Sequence, residues 1–493
     1  MISPRSRLYK PMLVVLAAAL LVGASRTQRL LNRSRAALGF TRVSPLKNAP
    51  PMLVLTTVVL GGFRGLIANA LWVRAMEMQD KDKFFDMVQL ADWITKLQPH
   101  INTVWIVQAW NMSYNISIKF SDPQDRWMWV RRGIELLRDQ ALYYNPHEVL
   151  LYRELAWHFQ HKMGHNLDDA HLYFKNVWAT EMQALLGGGR PNFEELIHPA
   201  TDEAKGRAQR LRETYKMDPL KMKAADDRYG PLDWRLPETH AIYWATMGRE
   251  MAKKKEDLIT LRRVIYQSMQ WAFRRGRLIE NPIDKSYRFD TNLDIVSKVN
   301  ATYEEMMAED AEMRDHIGIA HKNFLLDAVY FLYTHNRMRE ANEWLKVIKE
   351  KYPKDYPVEM DLDGYALRRV GEDSGETDVD RTTANLTGIL TDMYLNLALG
   401  DDDQATALGL LARNIWSRYQ SKITGGPSEK RVSLAPLDKL RSEVLDRLLD
   451  AERGLTPVLA AQLRTATGRP APTPTNAPPT TPATTNGPPR AAK

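Results

Sequence analysis

One short segment carries a carboxylate and three imidazoles at helical spacing. Glu154, His158, His161 and His165 are separated by four, three and four residues, which places them on one face of a helix. Such a face could bind a divalent metal ion. The set extends about 16 Å along a helix, however, so one ion would reach only two neighbours and would need ligands from elsewhere. The sequence therefore favours a polar groove face over a metal site, and we predict no cofactor.

Tryptophans from Trp105 to Trp178 alternate with arginines and polar residues. Aromatic rings beside arginines can stack on bases, sugars or peptide side chains. Tryptophan at helical spacing is more often core, and that is the competing interpretation. If these helices do form a binding groove, we predict that it is lined by Asn111, Tyr114, Asn115, Arg126 and His161.

The segment 231–245 is a second candidate for chemistry. It combines Asp233, Glu238 and His240 with aromatic residues, and these groups could perform acid–base work if they met in a pocket. A helix start after Pro237 explains Glu238 equally well. The segment supports the alternative hypothesis of an envelope enzyme, a metal-dependent or carbohydrate-active hydrolase on a helical scaffold.

Several catalytic classes lack their signatures. The sequence contains no GxxxxGK[ST], no GxGxxG after a strand, no GxSxG and no HExxH. It also contains no cysteine, which excludes disulfides, thiolate zinc sites and cysteine nucleophiles. Whether the protein is an enzyme stays open at this stage, with a non-enzymatic role favoured.

These candidates must be positioned by helices. From about residue 65 to 466 apolar residues recur at helical spacing, with Pro, Gly, Asn and Asp between the periodic stretches. The sequence predicts an all-α protein with helices at 65–79, 83–97, 102–119, 123–143, 147–164, 167–186, 202–216, 239–253, 256–278, 294–313, 317–335, 338–351, 379–399, 402–421, 435–451 and 457–466.

One predicted helix pair resembles a known repeat. Between Lys322 and Asp355, Ala328 and Ala341 stand where two helices must approach closely, and Pro353 ends the second helix. This arrangement resembles a tetratricopeptide repeat (TPR), with looser copies in 84–179 and 322–420. The resemblance implies a helical-hairpin repeat array, a TPR-like alpha-solenoid, whose concave face binds proteins or peptides.

The N-terminus holds the chain's excess charge. Residues 1–50 contain nine Lys or Arg and no acid, and removing them from totals of 68 and 60 leaves 59 bases against 60 acids. Because phosphate neutralisation supplies most nucleic-acid affinity, a neutral body argues against nucleic acid as a partner.

Two apolar runs, 11–25 and 52–73, flank a basic linker at 26–50. The first run fits a secretory signal or a short signal anchor, and the second spans about 33 Å as a helix although Arg64 interrupts it. We predict one or two N-terminal transmembrane helices that contact membrane lipid. The positive-inside rule keeps the linker cytoplasmic and favours an extracytoplasmic body in a bacterial envelope.

The whole sequence predicts five regions and one general role. The regions are a membrane anchor (1–76), N-terminal helical repeats (77–186), a helical middle region with an irregular insertion (187–316), C-terminal helical repeats (317–466) and a disordered Pro/Thr-rich tail (467–493). The predicted function is a membrane-anchored scaffold or assembly factor of the cell envelope that binds other proteins.

Overall fold

A computed structural model describes residues 5–37, 64–280, 287–353, 361–362, 364–366, 379–423, 434–450 and 454–470. Helix dominates these ranges, and the prediction of an all-α protein with many packed helices is confirmed. Among the described residues one small sheet occurs, in which Arg277–Glu280 (β1) pairs antiparallel with Tyr287–Asp290 (β2). Periodicity missed this hairpin because four residues are too few to show a convincing alternation.

The longer helices between residues 64 and 213 correspond to predicted ones, whereas the helices at Phe193–Ile197 and Pro219–Tyr229 were not predicted. Three of the longer helices include a π-helical segment, here called π1, π2 and π3. In chain order the elements are α1 (Arg5–Ala37), α2 (Arg64–Asp80), α3 (Phe84–Leu97), α4 (Asn102–Trp110), π1 (Asn111–Ile116), a 3-10 turn (Ser117–Lys119), α5 (Pro123–Glu135), π2 (Leu136–Ala141), α6 (Leu142–Tyr144), α7 (Val149–Trp157), π3 (His158–Gly164), α8 (His171–Leu186), α9 (Phe193–Ile197), α10 (Asp202–Glu213) and α11 (Pro219–Tyr229).

The remaining elements are also mostly long helices. They are α12 (Pro237–Met251), α13 (Lys255–Arg275), β1, β2, a 3-10 turn (Leu293–Ile295), α14 (Val296–Glu309), α15 (Arg314–Thr334), α16 (Met338–Lys351), α17 (Val379–Leu399), α18 (Asp402–Ile423), α19 (Leu437–Leu448) and α20 (Pro457–Thr467). Most of the acidic stretch 355–378 and most of the Pro/Thr-rich tail lie outside the described residues.

The chain divides into two units. Unit 1 comprises 1–186, 192–223 and 240–265, and unit 2 comprises 187–191, 224–239 and 266–493. Each unit has its own buried apolar residues, such as Trp105 and Phe159 in unit 1 and Phe273 and Tyr303 in unit 2.

Local sequence signals explain where several helices begin and end. Asp122 caps α5 by accepting a hydrogen bond from the Gln124 N–H at 2.6 Å, and Pro123 occupies the first turn. Gly400 and Gly468 end α17 and α20 with positive φ values of 80° and 67°, a conformation that glycine adopts without steric cost.

The predicted helix pair at 322–355 is present. Helices α15 and α16 pack against each other, and both Ala328 and Ala341 are fully buried. Asn336 supplies the left-handed residue of the turn between them, with a φ of 58°. Helices α17 and α18 form a second packed pair.

The predicted membrane anchor requires correction. None of the helices within the described ranges combines the length and the apolar character that a membrane crossing needs. The run 11–25 forms only part of α1, whose 33 residues also include basic residues on both sides of the run, and α2 contains Arg64, Arg74, Glu77 and Asp80. Residues 52–63 of the second run lie outside the described residues. The finding contradicts the predicted spans and the predicted membrane localisation.

Candidate functional site

Most of the predicted groove residues lie on two neighbouring helical segments of unit 1, residues 102–119 and 149–164. The Asn102 amide donates to Glu148 at 3.0 Å near the start of both segments. Farther along, the Tyr114 hydroxyl lies 3.1 Å from His161 Nδ1. Because the contacts advance together along both segments, the two helices run in the same direction.

Four rings form a continuous group across these helices, which we name the aromatic ladder: Trp110, Tyr114, Trp157 and His161. Trp110 stacks on Tyr114 with ring centroids 5.3 Å apart and planes at 22°. Trp157 stacks on His161 at 4.6 Å and 12°. The hydrogen bond between Tyr114 and His161 joins the two pairs. Trp110 is 43% exposed and the other three rings are half-buried, so the ladder lies at the surface.

A π-helical segment begins directly after each ladder tryptophan. π1 starts at Asn111 and π3 starts at His158. π-Helical turns are rare, and they occur frequently at functional sites. Here the residue four positions after each tryptophan, Tyr114 or His161, lies within the π segment and stacks on that tryptophan.

A buried ion cluster supports the ladder from behind. Lys162 Nζ lies 2.7 Å from one Asp168 carboxylate oxygen, and Arg126 donates to the other at 3.0 Å. Arg126 also donates to the Phe120 carbonyl at 2.6 Å, while the Lys162 ammonium lies 5.0 Å from the centre of the Tyr114 ring. Two cations share one carboxylate, so the cluster has one positive charge in excess.

The environment of the cluster shifts its pKa values. Burial alone would raise the pKa of Asp168, but hydrogen bonds from Lys162, the Ala170 N–H and Arg126 outweigh burial and lower it. Burial lowers the pKa of Lys162, and Asp168 opposes that shift. Removal of Asp168 would leave two cations in a poorly solvated place.

The four candidate metal ligands do not share one environment. His158 is fully buried and its Nδ1 donates to the Glu154 carbonyl at 2.8 Å, while Glu154 is itself buried and pairs with Arg153. His161 and His165 lie at the half-exposed surface. Among the described residues no group of three or more His, Cys, Asp or Glu side chains is arranged to hold a metal ion.

Burial lowers the pKa of two of the imidazoles, His158 and His161. For His158 burial is the largest cause of the lowered pKa. Hydrogen bonds to the Glu154 and Ala109 backbone partly oppose this shift. Burial also lowers the pKa of His161, and the neighbouring His165, Lys162 and His158 add to that shift. A neutral His161 can accept the Tyr114 O–H hydrogen bond at Nδ1.

The two asparagines predicted to line the groove, Asn111 and Asn115, are hydrogen-bonded to each other. Asn115 donates to the Asn111 side-chain oxygen at 3.0 Å, and Asn111 is buried, so it cannot contact a partner directly.

Gly133 of α5 packs very closely against the segment 102–119. A Cβ at Gly133 would lie 2.2 Å from Ser113 Oγ and 2.8 Å from the Ala109 carbonyl oxygen. Glycine therefore permits α5 to pack against π1.

The segment 231–245 uses its charged groups for internal pairing. In unit 2 the Asp233 carboxylate accepts from Arg235 at 2.7 Å and from the Leu278 N–H at 3.0 Å, and Arg275 pairs with Glu238 at 2.7 Å. In unit 1 His240 is fully buried beside the Phe159 and Trp178 rings. These contacts account for the three residues without catalysis.

Comparison with known proteins gives no relative from which a role could be transferred. No protein family, no curated protein and no solved structure matches the chain.

The predicted groove residues do not include Trp110, Trp157, Lys162 and Asp168, although the two tryptophans belong to the series that could stack on a ligand. A signal for the two tryptophans was present, because the pattern Pro-His, eight residues, Ala-Trp occurs at 99–110 and again at 146–157, an offset of 47 residues. Each copy ends where a π segment begins. The ion pair of Lys162 and Asp168 had no comparable signal, since it depends on the turn after π3.

Proposed function

We propose that this protein is a helical interaction module that binds segments of other proteins on the aromatic ladder of unit 1. The observation that carries the proposal is the pair of tryptophan-led stacks at the surface, with Trp110 43% exposed. Tryptophan and tyrosine are enriched at protein interfaces because they contribute large contact areas and a polar group. Binding of this kind needs no catalytic residue, metal or cofactor.

The contacts behind the ladder support the same role. A recognition surface works best when its side chains are already held in place before the partner arrives. The Tyr114–His161 hydrogen bond and the Lys162 ammonium beside the Tyr114 ring restrict the rings in this way. The ladder would therefore bind with little loss of side-chain entropy.

We also propose that the helix pairs form a TPR-like repeat array, an alpha-solenoid. Support comes from the packed hairpin of α15 and α16 and from the 47-residue recurrence of the Pro-His and Ala-Trp pattern in unit 1. A recurrence of 47 residues is longer than the 34 of a TPR, so the repeats of unit 1 would have extended helices. An experimental structure in which successive helix pairs are not related by a constant rotation would contradict the array.

Selection from a peptide-display library on the purified full chain tests the binding role. We expect enriched peptides that bind the wild type and lose at least about tenfold in affinity with Trp110→Ala, because exposed tryptophans are common interface hot spots. Ile319→Ala is the matched control, since Ile319 is an exposed apolar residue of unit 2.

Circular dichroism must first show that both variants keep the helical content of the wild type. The proposal fails if no peptide is enriched above background. It also fails if the enriched peptides bind the Trp110→Ala variant as tightly as they bind the wild type.

A further inference from the structure

The sequence pattern that recurs in the two ladder helices is also a structural repeat. In the first copy the Trp105 indole donates to the Pro99 carbonyl at 2.9 Å. In the second copy Tyr152, which occupies the equivalent position, donates through its hydroxyl to the Pro146 carbonyl, also at 2.9 Å. The same bond to a proline carbonyl therefore fixes the start of both helices.

The repeat places the two ladder tryptophans side by side. Tyr114 and His161, which bond directly to each other, occupy equivalent positions of the two copies, so the helices are not staggered along their axes. Trp110 and Trp157 are the equivalent pair one turn earlier. Helices in contact have axes about 8–10 Å apart, and the two tryptophans should repeat across the surface at about that distance.

A segment that crosses both helices must repeat a side-chain direction at the same distance. In a polyproline II (PPII) helix residues i and i+3 lie on one side about 9 Å apart, because it has about three residues per turn and rises about 3.1 Å per residue. In a β-strand residues i and i+2 share a face at only about 7 Å. An α-helix repeats a face after about 5 Å, or after about 11 Å over two turns. PPII conformation therefore matches the tryptophan spacing best.

The Trp110 indole suits a segment of this kind. The Trp157 indole bonds to the Tyr114 hydroxyl, whereas among the described residues no acceptor is bonded to the Trp110 indole N–H. PPII segments have no internal hydrogen bonds, so each of their carbonyls is free to accept one. An exposed aromatic ring with an unused N–H can therefore contact a proline ring and a neighbouring carbonyl together.

The charged groups around the ladder favour neither an acidic nor a basic segment. Arg153 is paired with Glu154, and the buried Lys162 is bonded to Asp168. Exposed acids also lie close to this ion pair in the chain, at Asp122, Asp125 and Asp169. Recognition on the ladder would therefore depend on ring contacts rather than on net charge.

We infer that the occupant of the ladder is a proline-rich segment of another protein in PPII conformation, which crosses both helices and packs prolines i and i+3 on Trp110 and Trp157. The inference rests on the proposed function and specifies its partner class. Proline fixes φ before binding, so ordering such a segment costs little conformational entropy. Docking of proline-rich segments on aromatic surfaces is a recurring mode of peptide recognition.

Fluorescence anisotropy with the full chain tests the spacing. One probe is a short fluorescein-labelled peptide of repeated Pro-Thr-Thr. The other has the same composition, with its prolines at every second position followed by the remaining threonines, so that no two prolines are three residues apart. We expect the Pro-Thr-Thr peptide to bind at least about tenfold more tightly, because the other peptide can place a proline on only one tryptophan at a time.

Trp157→Ala locates the effect on the ladder. It should weaken binding of the Pro-Thr-Thr peptide about tenfold and abolish the preference between the two probes, since one remaining tryptophan has no spacing to match. Trp416→Ala removes a half-buried tryptophan of unit 2 and should change neither result. Circular dichroism checks that both variants keep the wild-type helical content. A preference that survives in Trp157→Ala would overturn the inference.

The chain's own Pro/Thr-rich tail is the alternative occupant. Within 471–493 only Pro479 and Pro482 are three residues apart. We expect Pro482→Ala in the full chain to leave the affinity for the Pro-Thr-Thr peptide unchanged. Tighter binding of the probe by this variant would show that the tail competes for the ladder, and would overturn the assignment to another protein.

The outcomes separate this inference from the proposed function. If both proline peptides bind the wild type equally while Trp110→Ala weakens both, the ladder binds peptides and the PPII spacing is wrong. If neither proline peptide binds but display-selected peptides do, the proline-rich class is wrong. If neither the synthetic nor the selected peptides bind, the proposed function itself is overturned.

Discussion

The ladder region of unit 1 and residues 226–239 and 266–280 of unit 2 contain similar residue types in different environments. In unit 2 the Asp233, Arg235 and Glu238 side chains are buried and bonded to partners within the unit. In unit 1 the ladder rings lie at the surface, next to helical turns of unusual geometry. Residue type alone therefore does not identify a site, because a tryptophan such as Trp234 is fully buried in one place and Trp110 is exposed in another.

The largest effect that would test this contrast is expected at Asp233. Asp233→Ala leaves the Arg235 guanidinium, whose side chain is 10% exposed, without its carboxylate, and should destabilise the protein by about 3–5 kcal/mol. Thermal melting by circular dichroism measures the loss. Asp403→Ala, at an exposed position of α18, is the control and should cost less than about 1 kcal/mol. Equal melting of the two variants would show that the unit 2 acid is not a structural group.

The next effect is a pH dependence at His321 in unit 2. Burial lowers the pKa of His321 to about 4, against an ordinary value of 6.5. Between these values the unfolded chain binds more protons, so this contribution to stability is complete above pH 6.5 and is lost as the pH falls towards 4. The loss amounts to at most about 3 kcal/mol.

Urea denaturation at neutral and acidic pH measures this dependence. His321→Gln should reduce the slope of stability against pH without abolishing it, because the pKa values of His158 and His161 are also lowered. His316→Asn, at an exposed position, should leave the slope unchanged. A wild-type slope in the His321 variant would contradict the assignment.

Gly133→Ala addresses the packing behind the ladder. The added methyl group would overlap Ser113 Oγ and the Ala109 carbonyl, and we expect a loss of about 1–3 kcal/mol in the free energy of unfolding. Gly206→Ala is the matched control, because a Cβ there meets nothing within 4 Å and alanine favours helix. Addition of Ser113→Ala should restore part of the loss. An unchanged stability of Gly133→Ala would mean that α5 does not need this close approach.

Tyr114→Phe should have the smallest effect. It removes the hydroxyl that bonds His161 but keeps the ring that stacks on Trp110, so we expect a loss of about 0.5–1.5 kcal/mol with peptide binding retained. Tyr143→Phe, at an exposed position, should change the free energy of unfolding by less than about 0.5 kcal/mol. A complete loss of peptide binding in Tyr114→Phe would assign the hydroxyl, rather than the rings, to recognition.

Much of the helical architecture could be predicted from the sequence because apolar spacing and helix-ending residues agree. The helix predicted at 83–97 is found at Phe84–Leu97, and the pair predicted around Ala328 and Ala341 is present. The exceptions include short elements such as β1 and β2, in which too few residues carry the pattern, and also α11, which was not among the predicted helices.

The candidate site was predictable only in part. Three residues predicted to line the groove do lie together: Tyr114, His161 and Arg126. Asn111, also predicted to line the groove, and His158, a candidate metal ligand, are buried. The expectation of one continuous polar face over 154–165 assumed a regular α-helix, and π3 interrupts that helix after Trp157. Apolar periodicity is detected over several helical turns. A single π-helical turn changes this periodicity too little to be recognised in the sequence.

π1 and π3 have an implication for how the surface could be redesigned. Each residue of an α-helix advances the helix by about 100°, so removal of one residue from a π segment would rotate everything after it relative to everything before it. A deletion within 111–116 would turn Ile118 away from its present direction while leaving Trp110 in place. Inserting or deleting a residue in a π segment, rather than substituting one, would therefore rotate the side chains at one end of the ladder surface relative to those at the other end.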